Sequence, residues 1–398
     1  MRKLSKVLFR SKYAPSSAES IRVMVIDPVG SHGGMDFLNH QLCEALVEKG
    51  CEVTLVTSAG FCSSDSDHTI LELFKGVFGK DSKWIRAIKF AIAVIKSVFI
   101  AKTKGINIVH FHIFHVGLLQ YLHILLARLS GIKVVITAHD VGSFRSGESS
   151  LLLRSIYRHC SEVIAHSQIG LKSLIQLGVC STRISNIPLG NYKGLLPTLP
   201  KAEIAKEKFG FGKDDLVLLF FGQCKKVKRL DLLIDAVALA RDMGAKRLRL
   251  LVAGPVTDAD EAAIKKQMAD RLGDAVVHHS HFIANEDLPL YFAAADLAVL
   301  PYDRILQSGV VLLAMSHGLP VLTSDIEGML EVVEHGYSGL TFSRGDLASL
   351  TNRLIEVEKD EWPLSDFAQS AHHLVATNYS WSECARLTVE VYRRVIYD

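Results

Sequence analysis

Two lysines stand where a ligand with negative charge could be held. Lys225 and Lys228 follow the apolar run LVLLFFG, which ends at Gly222, and precede the segment LDLLIDA with apolar residues at helical spacing. This pattern predicts a strand, a loop and a helix. Lysines in such a loop can bind a diphosphate as point charges and stabilise its departure without a metal ion. Because a solvated, charge-rich turn would have the same composition, the lysines alone do not decide between these interpretations.

A glycine pair occurs at an equivalent place near the amino terminus. Gly33 and Gly34 follow the apolar run IRVMVID and open a segment with helical spacing that ends at Gly50. Backbone at such a turn can approach a phosphate closely, and the amino end of a helix offers unpaired N–H groups. A nicotinamide-dependent dehydrogenase would require GxGxxG and an acidic residue after the next strand, whereas Thr57 and Ser58 follow that strand here. The sequence therefore disfavours a nicotinamide cofactor.

The elements that must position these residues form two consecutive series. Apolar runs such as EVTLVTS, INIVHFH and KVVITAHD alternate with helical stretches, and the pattern restarts with LVLLFFG after the proline-containing segment YKGLLPTLPK. Such alternation predicts two Rossmann-like, doubly wound α/β domains that face a central cleft at the carboxyl ends of their strands. The expected division is a basic tail over 1–20, a first domain over 21–191, a linker over 192–200, a second domain over 201–379, and a terminal helix over 380–398 that packs back on the first domain.

Length and composition indicate a packed globular chain. Its 398 residues fit two domains of about 150 to 200 residues each. Hydrophobic residues make up 49% of the chain, but no run approaches the roughly 18 apolar residues of a membrane span. The seven cysteines are odd in number and form no CxxC pair, which argues against a zinc cluster or a disulfide framework. The amino-terminal residues lack a continuous apolar stretch, so we expect no secretory signal and a cytoplasmic location.

Charge is distributed unevenly and favours an anionic partner for the first half. Residues 1–198 contain 23 Lys and Arg against 13 Asp and Glu, whereas residues 199–398 contain 22 against 29. Residues 83–104 predict a basic amphipathic helix, which can lie at the inner face of an anionic membrane or pack its apolar side on the sheet. No nucleic-acid motif accompanies the basic half. The basic positions of the helix are Arg86, Lys89 and Lys96, and the apolar positions are Trp84, Ile88, Ile92, Ile95 and Phe99.

Several motifs occur in one order along the chain. They include the glycine pair, AHD around His139, FGQCKKVKRLDLLIDA, AGP, FIANEDLPLYFAAADLAVLPY and SGVVLLAMSHGLPVLTSDIEG. Together they resemble the family 4 retaining glycosyltransferases of the GT-B fold over about 370 residues from Ile21 on. The resemblance implies a nucleotide-sugar donor held mainly by the second domain, an acceptor held mainly by the first, and no required metal or other cofactor.

The resemblance also implies roles for particular residues. Gly33 and Gly34 match the loop that approaches the donor phosphates and the acceptor, and His139 matches the histidine near the transferred sugar. Two further groups of residues match the donor site. These are the glycine and basic pair Gly222, Lys225 and Lys228, with Gln223 where many members carry arginine, and the helix-start loop Ser308, Gly309 and Val310.

Two glutamates that are usual in this family are absent. Their positions are occupied by Ile305 and Leu313, and the second of these glutamates holds the ribose hydroxyls in family members. A bacterial subset that lacks both carboxylates is similar to this chain, with the signature residues Pro301, Tyr302, Arg304, Ser308 and Gly309. Asp303 is the nearest remaining acid, and Arg304 is a further candidate for the donor site.

We therefore expect transfer of a hexose from a nucleoside diphosphate sugar to a glycan or lipid-linked acceptor, in surface polysaccharide or glycolipid assembly. A catalytically silent scaffold partner of another transferase remains an alternative, which the missing carboxylates favour and the retained lysines oppose. A nucleotide-sugar epimerase of similar fold is a second alternative. It would require acid and base carboxylates in the cleft.

Overall fold

The computed structural model describes residues 20–30, 34–58, 66–77, 81–114, 117–139, 150–196, 198–257 and 260–397. The predicted basic tail, apart from residue 20, and the predicted Gly33 lie outside the described residues.

The first half of the chain forms a sheet of seven parallel strands in the order β3-β2-β1-β4-β5-β6-β7. The strands are β1 (Arg22–Asp27), β2 (Glu52–Thr57), β3 (Thr69–Leu71), β4 (Ile108–Ile113), β5 (Lys133–Ala138), β6 (Glu162–Ala165) and β7 (Ile184–Asn186). The helices between them are α1 (Met35–Glu48), α2 (Lys83–Thr103), α3 (Leu118–Leu129), α4 (Ser150–His159) and α5 (Gln168–Gln176).

The second half forms a sheet of six parallel strands in the order β10-β9-β8-β11-β12-β13. Its strands are β8 (Leu216–Phe221), β9 (Leu248–Ala253), β10 (Val276–His279), β11 (Leu297–Leu300), β12 (Val321–Ser324) and β13 (Leu340–Phe342). The helices of this half are α6 (Ala202–Lys208), α7 (Leu230–Asp242), α8 (Glu261–Leu272), α9 (Leu288–Ala294), α10 (Gly309–Ser316), α11 (Glu327–Leu330), α12 (Leu347–Glu358) and α13 (Leu364–Asn378), followed by the terminal helix α14 (Trp381–Tyr397).

The order of the strands fixes where a ligand can bind. In each sheet the first strand of the domain, β1 or β8, lies between two other strands. The chain therefore adds strands first on one side of this strand and then on its other side. The connections on the two sides then leave a crevice at the carboxyl ends of the strands. The predicted architecture of two doubly wound α/β domains is confirmed.

The terminal helix α14 packs on the first domain. Ala385, Val389 and Tyr392 are buried in one cluster with Val25 of β1 and Leu46 of α1. The Tyr392 hydroxyl also lies 2.7 Å from the Nδ1 atom of a histidine in β4. The second domain therefore ends in a helix whose buried surface belongs to the first, which ties the two domains together. Among the described residues, no helix is both long and apolar enough to cross a membrane.

Candidate active site in the interdomain cleft

The turn after β8 is shaped by two glycines that touch. Gly222 has a φ of 92°, a conformation that L side chains rarely adopt. A Cβ atom added to Gly254, at the end of β9, would lie 2.2 Å from the Gly222 carbonyl oxygen. Only glycine fits at position 254. The AGP motif, which contains Gly254, and the FFGQ motif, which contains Gly222, therefore meet where the ends of β9 and β8 approach each other closely.

Lys228 lies above this turn and is half-buried. Its Nζ atom is 5.2 Å from the centroid of the Tyr302 ring, a cation–π distance, and 3.3 Å from the position of a Cβ atom on Gly222. Burial, with a smaller contribution from the charge of Lys225, lowers the pKa of Lys228 to about 8. In the described part of the chain no carboxylate forms an ion pair with this ammonium group. The site therefore holds a poorly solvated positive charge that an anionic ligand would stabilise.

The amino end of α10 lies beside the same turn. Ser308 is buried at its N-cap, and its hydroxyl oxygen accepts a hydrogen bond of 3.4 Å from the Val311 N–H. The side chain of Val310 approaches within 3.6 Å of the Cβ position of Gly222. The first turn of a helix carries N–H groups without intrahelical partners and a partial positive charge. Lys228 and the first turn of α10 thus present positive charge next to each other.

Tyr192 connects this region with the first domain. Its ring stacks on Phe37 of α1 with centroids 5.7 Å apart, and its N–H donates to the Ser316 hydroxyl oxygen at 2.9 Å. A Cβ atom on Gly309 would lie 2.6 Å from the Tyr192 hydroxyl oxygen. The helix α1 begins directly after Gly34, which has a φ of 78°. Buried Tyr192 therefore contacts both α1, which begins after the predicted glycine turn of the first domain, and the predicted start of α10 in the second domain.

Three other predicted residues line a separate, open cavity. Lys225, Asp303 and Arg304 lie around a volume of about 690 Å³ between the turn that precedes α7 and the helix α8. Asp303 Oδ1 is 3.2 Å from a guanidinium nitrogen of Arg229, which also pairs with Asp231. Lys228 does not line this cavity, but its N–H donates a hydrogen bond of 2.8 Å to the Lys225 carbonyl oxygen, so the two lysines of the predicted pair belong to one turn. The structure also gives Asp303 a salt-bridge partner that the sequence analysis had not foreseen.

Ile305 and Leu313, which occupy the two positions without glutamate, pack against other apolar side chains. Leu313 is buried in the core of the second domain, within α10. Ile305 is partly buried against the same core, and its carbonyl oxygen lies 2.3 Å from the Cβ position of Gly328. The neighbouring Leu306 is buried among side chains of the first domain. This loop therefore contributes packing between the domains where other members of such a family would have carboxylates.

His139 lies on the opposite side of the cleft, after β5. Its ring stacks on Phe114 with centroids 4.3 Å apart, and its Nε2 atom is 3.1 Å from Nδ1 of His112. Burial holds the pKa of His139 well below its usual range, and the nearby rings of His166 and His110 lower it further. The imidazole is therefore neutral at pH 7.

The two halves of the chain match two sequence families. Residues 32–190 match Glycosyltransferase Family 4, and residues 201–376 match Glycosyl transferases group 1, so both domains are covered. The chain belongs to the family 4 type of GT-B glycosyltransferases. The predicted family, fold and enzyme class are confirmed.

Relatives and structural neighbours of this glycosyltransferase agree with that assignment. D-inositol 3-phosphate glycosyltransferase from Pseudarthrobacter chlorophenolicus is 25% identical over 391 residues, which cover 92% of this chain and 91% of the relative. Mannosylfructose-phosphate synthase from Agrobacterium fabrum is 30% identical over 240 residues, 58% of this chain and 52% of that enzyme. HepE from Anabaena, solved in complex with UDP and glucose, shares the fold with a TM-score of 0.73 and 19% identity, and the comparison covers 94% of this chain and all of HepE.

The sequence analysis missed the histidines around His139. His110 and His112 lie in β4, and His166 follows β6, so that four rings stand side by side at the carboxyl ends of three neighbouring strands. They line a cavity of about 30 Å³, which has room for a water molecule. The run HFH was the available signal, because residues two apart in a strand share one face. In this glycosyltransferase His139, the predicted catalytic histidine, therefore lies beside three other histidines whose side chains are neutral.

Proposed function

We propose that this glycosyltransferase moves a hexose from a nucleoside diphosphate sugar to a glycan or lipid-linked acceptor, with retention of configuration and without a metal ion. The observation that carries the proposal is the half-buried ammonium group of Lys228 beside the first turn of α10. A diphosphate bound there would replace the water that Lys228 has lost and would accept hydrogen bonds from the helix N–H groups.

The transfer requires little from side chains beyond charge stabilisation. The acceptor hydroxyl oxygen forms a bond with the anomeric carbon on the face that the diphosphate leaves, while the bond from that carbon to the phosphate oxygen breaks. The leaving diphosphate oxygen takes the acceptor proton, so no protein carboxylate is needed. Lys228 and the amides of Gly309 and Val310 stabilise the negative charge that develops on the diphosphate. Neutral His139 positions the sugar through a hydrogen bond.

The known proteins support the donor class. HepE has this fold and was solved with UDP and glucose, and also with UDP-glucose. The relative from Pseudarthrobacter chlorophenolicus acts on D-inositol 3-phosphate according to its name, so a polyol hydroxyl is one chemically reasonable acceptor group. We choose a glycan or lipid-linked acceptor because of the surface described below.

A panel of UDP-, GDP- and ADP-sugars tests the proposal. The purified protein should show a donor-dependent rise in melting temperature and slow hydrolysis of one donor to free sugar. Lys228→Ala should lose most of this turnover, whereas Lys213→Ala, an exposed lysine before the amino end of β8, should not. Formation of an epimer would instead support the epimerase alternative. Neither binding nor turnover with any donor would support a silent scaffold, and either outcome would contradict the proposal.

The outer helices of the first domain carry a large apolar surface. In α2 the buried residues are Phe90, Ala93, Val94, Ser97 and Ala101, so the face that the sequence analysis identified as apolar points to solvent. We call the exposed side chains of α2 and α3 the outer apolar surface. It consists of Trp84, Ile85, Ile88, Ile92, Ile95 and Phe99 from α2 and Leu118, Leu122, Leu126 and Leu129 from α3.

We propose that the outer apolar surface rests on an anionic membrane. Lys83, Lys96 and Lys104 are exposed on or directly after α2, and each would contribute about 1 kcal/mol of attraction near an anionic lipid surface. Arg86 and Lys89 contribute less than the sequence analysis expected, because Arg86 Nε donates to the Val77 carbonyl oxygen at 2.7 Å and Lys89 pairs with Asp81 at 2.6 Å. Apolar burial and lysine attraction together would place the cleft near a lipid-linked acceptor.

Cosedimentation with phosphatidylglycerol vesicles tests this surface. Binding should be clear at low salt, weaker at high salt, and lost when Trp84, Ile95 and Phe99 are replaced by serine. The matched control replaces Met243 and Phe282, which are equally exposed in the second domain, and should bind like the wild type. Equal binding by both variants would contradict the proposal. A change in oligomeric state without any vesicle binding would show that a second copy of the chain covers the surface instead.

A further inference from the structure

A second group of side chains with ligand chemistry lies at the outer edge of the first sheet. His40 and Glu44 are four residues apart in α1 and therefore share one face of the helix. His68 directly precedes the edge strand β3. One ring nitrogen of each histidine and one carboxylate oxygen of Glu44 all lie within 4.8 Å of one another. The sequence analysis named no metal ligand, and the spacing HxxxE within α1 was the only local signal for this group.

The distances within the group are close to those of a coordinated ion. Nδ1 of His68 is 2.5 Å from Oε1 of Glu44, and Nδ1 of His40 is 4.0 Å from the same oxygen. Ligand atoms bound tetrahedrally at about 2.1 Å from a zinc ion lie about 3.4 Å apart. His68 Nδ1 and Glu44 Oε1 would have to move apart, and His40 Nδ1 and Glu44 Oε1 would have to move closer, each by less than about 1 Å. Side-chain rotations can supply both movements.

His68 is the buried member of this group. Its side chain has no exposed surface, and its Nε2 atom has no hydrogen-bond partner in the described part of the chain. Nδ1, the ring atom next to Glu44 Oε1, is the one that would bind the ion. The side chains of His40 and Glu44 are each 26% exposed, so an ion can reach them from solvent.

We propose that His40, Glu44 and His68 bind one divalent transition-metal ion, Zn²⁺ in the first place, with a water molecule as the fourth ligand. Two imidazoles and one carboxylate suit Zn²⁺ and its neighbours in the first transition row, whereas Mg²⁺ and Ca²⁺ prefer oxygen ligands throughout. The ion would join the middle of α1 to the start of β3 and hold the edge strand in place.

The site has a structural role and takes no part in sugar transfer. Thr69, the first residue of β3, pairs with Thr54 in the amino-terminal half of β2. His68 therefore lies away from the carboxyl ends of the strands, where the candidate active site is. The inference does not depend on the proposed function, and transfer should continue in the metal-free protein at temperatures well below unfolding.

Titration of the full-length, metal-stripped protein with Co²⁺ and Zn²⁺ tests the site. We expect one Co²⁺ per chain with a visible absorption band typical of tetrahedral coordination, displacement by Zn²⁺ but not by Mg²⁺, and a higher melting temperature with Zn²⁺. His40→Ala and Glu44→Gln change partly exposed residues and should preserve the fold. Each should weaken Zn²⁺ binding at least about 100-fold, more than the loss of a supporting residue usually does.

The matched control is His373→Ala, which removes an exposed histidine of α13 and should bind Zn²⁺ like the wild type. Two outcomes would overturn the proposal. One is the absence of a stoichiometric Co²⁺ band in the wild type. The other is weak Zn²⁺ binding that the His40, Glu44 and His373 variants share equally, which would show adventitious binding by surface histidines.

Discussion

Replacement of Lys228 by methionine should change stability and ligand binding in opposite directions. Methionine keeps most of the side-chain volume over Tyr302 but removes the charge. Burial lowers the pKa of Lys228 from 10.5 to about 8, so the charged folded state is higher in free energy by about 3 kcal/mol when no ligand is bound. Loss of the cation–π contact with Tyr302 offsets about 1 kcal/mol of this. The ligand-free Lys228→Met protein should therefore be more stable than the wild type by roughly 2 kcal/mol.

The sign of the pH dependence follows from the same shift. Because the pKa of Lys228 is lower in the folded state than in the unfolded state, the unfolded chain binds more protons between pH 8 and pH 10.5. The stability of the wild type should rise with pH across that window relative to the variant. Urea unfolding at pH 7 and pH 10 measures the difference in stability between the variant and the wild type and the decrease of that difference with pH.

Binding of UDP should respond in the other direction. A charged hydrogen bond to the diphosphate contributes about 1.5 to 3 kcal/mol, so Lys228→Met should raise the Kd of UDP roughly 10- to 150-fold at pH 7. In the wild type, the affinity for UDP should fall about tenfold per pH unit above pH 8, because Lys228 retains its proton in the complex but releases it in the ligand-free protein. The variant should show no such slope. Calorimetric titration checks both, with Lys213→Met as the control, and unchanged affinity in Lys228→Met would refute the reasoning.

Three further expectations concern the rest of the cleft. Leu313→Glu should lower the free energy of unfolding by roughly 3 kcal/mol or more in urea, because it places an unpaired carboxylate in the core, whereas Leu313→Met should cost under about 1.5 kcal/mol. Gly309→Ala should reduce donor turnover, because the new methyl group meets the Tyr192 hydroxyl 2.6 Å away, and Tyr192→Phe in the same chain should restore part of it. Turnover should survive an excess of a strong chelator below the unfolding temperature, and loss that only manganese reverses would contradict charge stabilisation by Lys228 and helix amides.

The alternation of apolar runs and helical segments was sufficient to predict the two sheets, because buried parallel strands are apolar along their whole length. The three-residue strands β3, β7 and β13 were missed, since such short runs have no periodicity of their own. Residues at strand ends could be assigned to one edge of a sheet. The side chains that these residues contact could not be predicted. The salt bridge between Asp303 and Arg229, for example, depends on how two loops meet.

Two further outcomes show where sequence patterns stop. Helical spacing placed Trp84 and Phe99 on one side of α2, but both sides of the helix are apolar, and only the packing shows that Phe90 faces the core. Tyr192 falls in the stretch predicted to be a linker, yet it is buried between α1 and α10. Contacts between domains depend on the placement of one domain against the other, which no local pattern encodes.

We propose that a nucleoside diphosphate sugar binds at Lys228 and that its hexose leaves with retained configuration. Proton NMR of the products at early times, with UDP-glucose and then with the GDP and ADP donors, tests it most directly. We expect the wild type to release the sugar first as the α-anomer from an α-linked donor and Lys228→Met to release little. Initial release of the β-anomer, or equal release by both proteins, would contradict it.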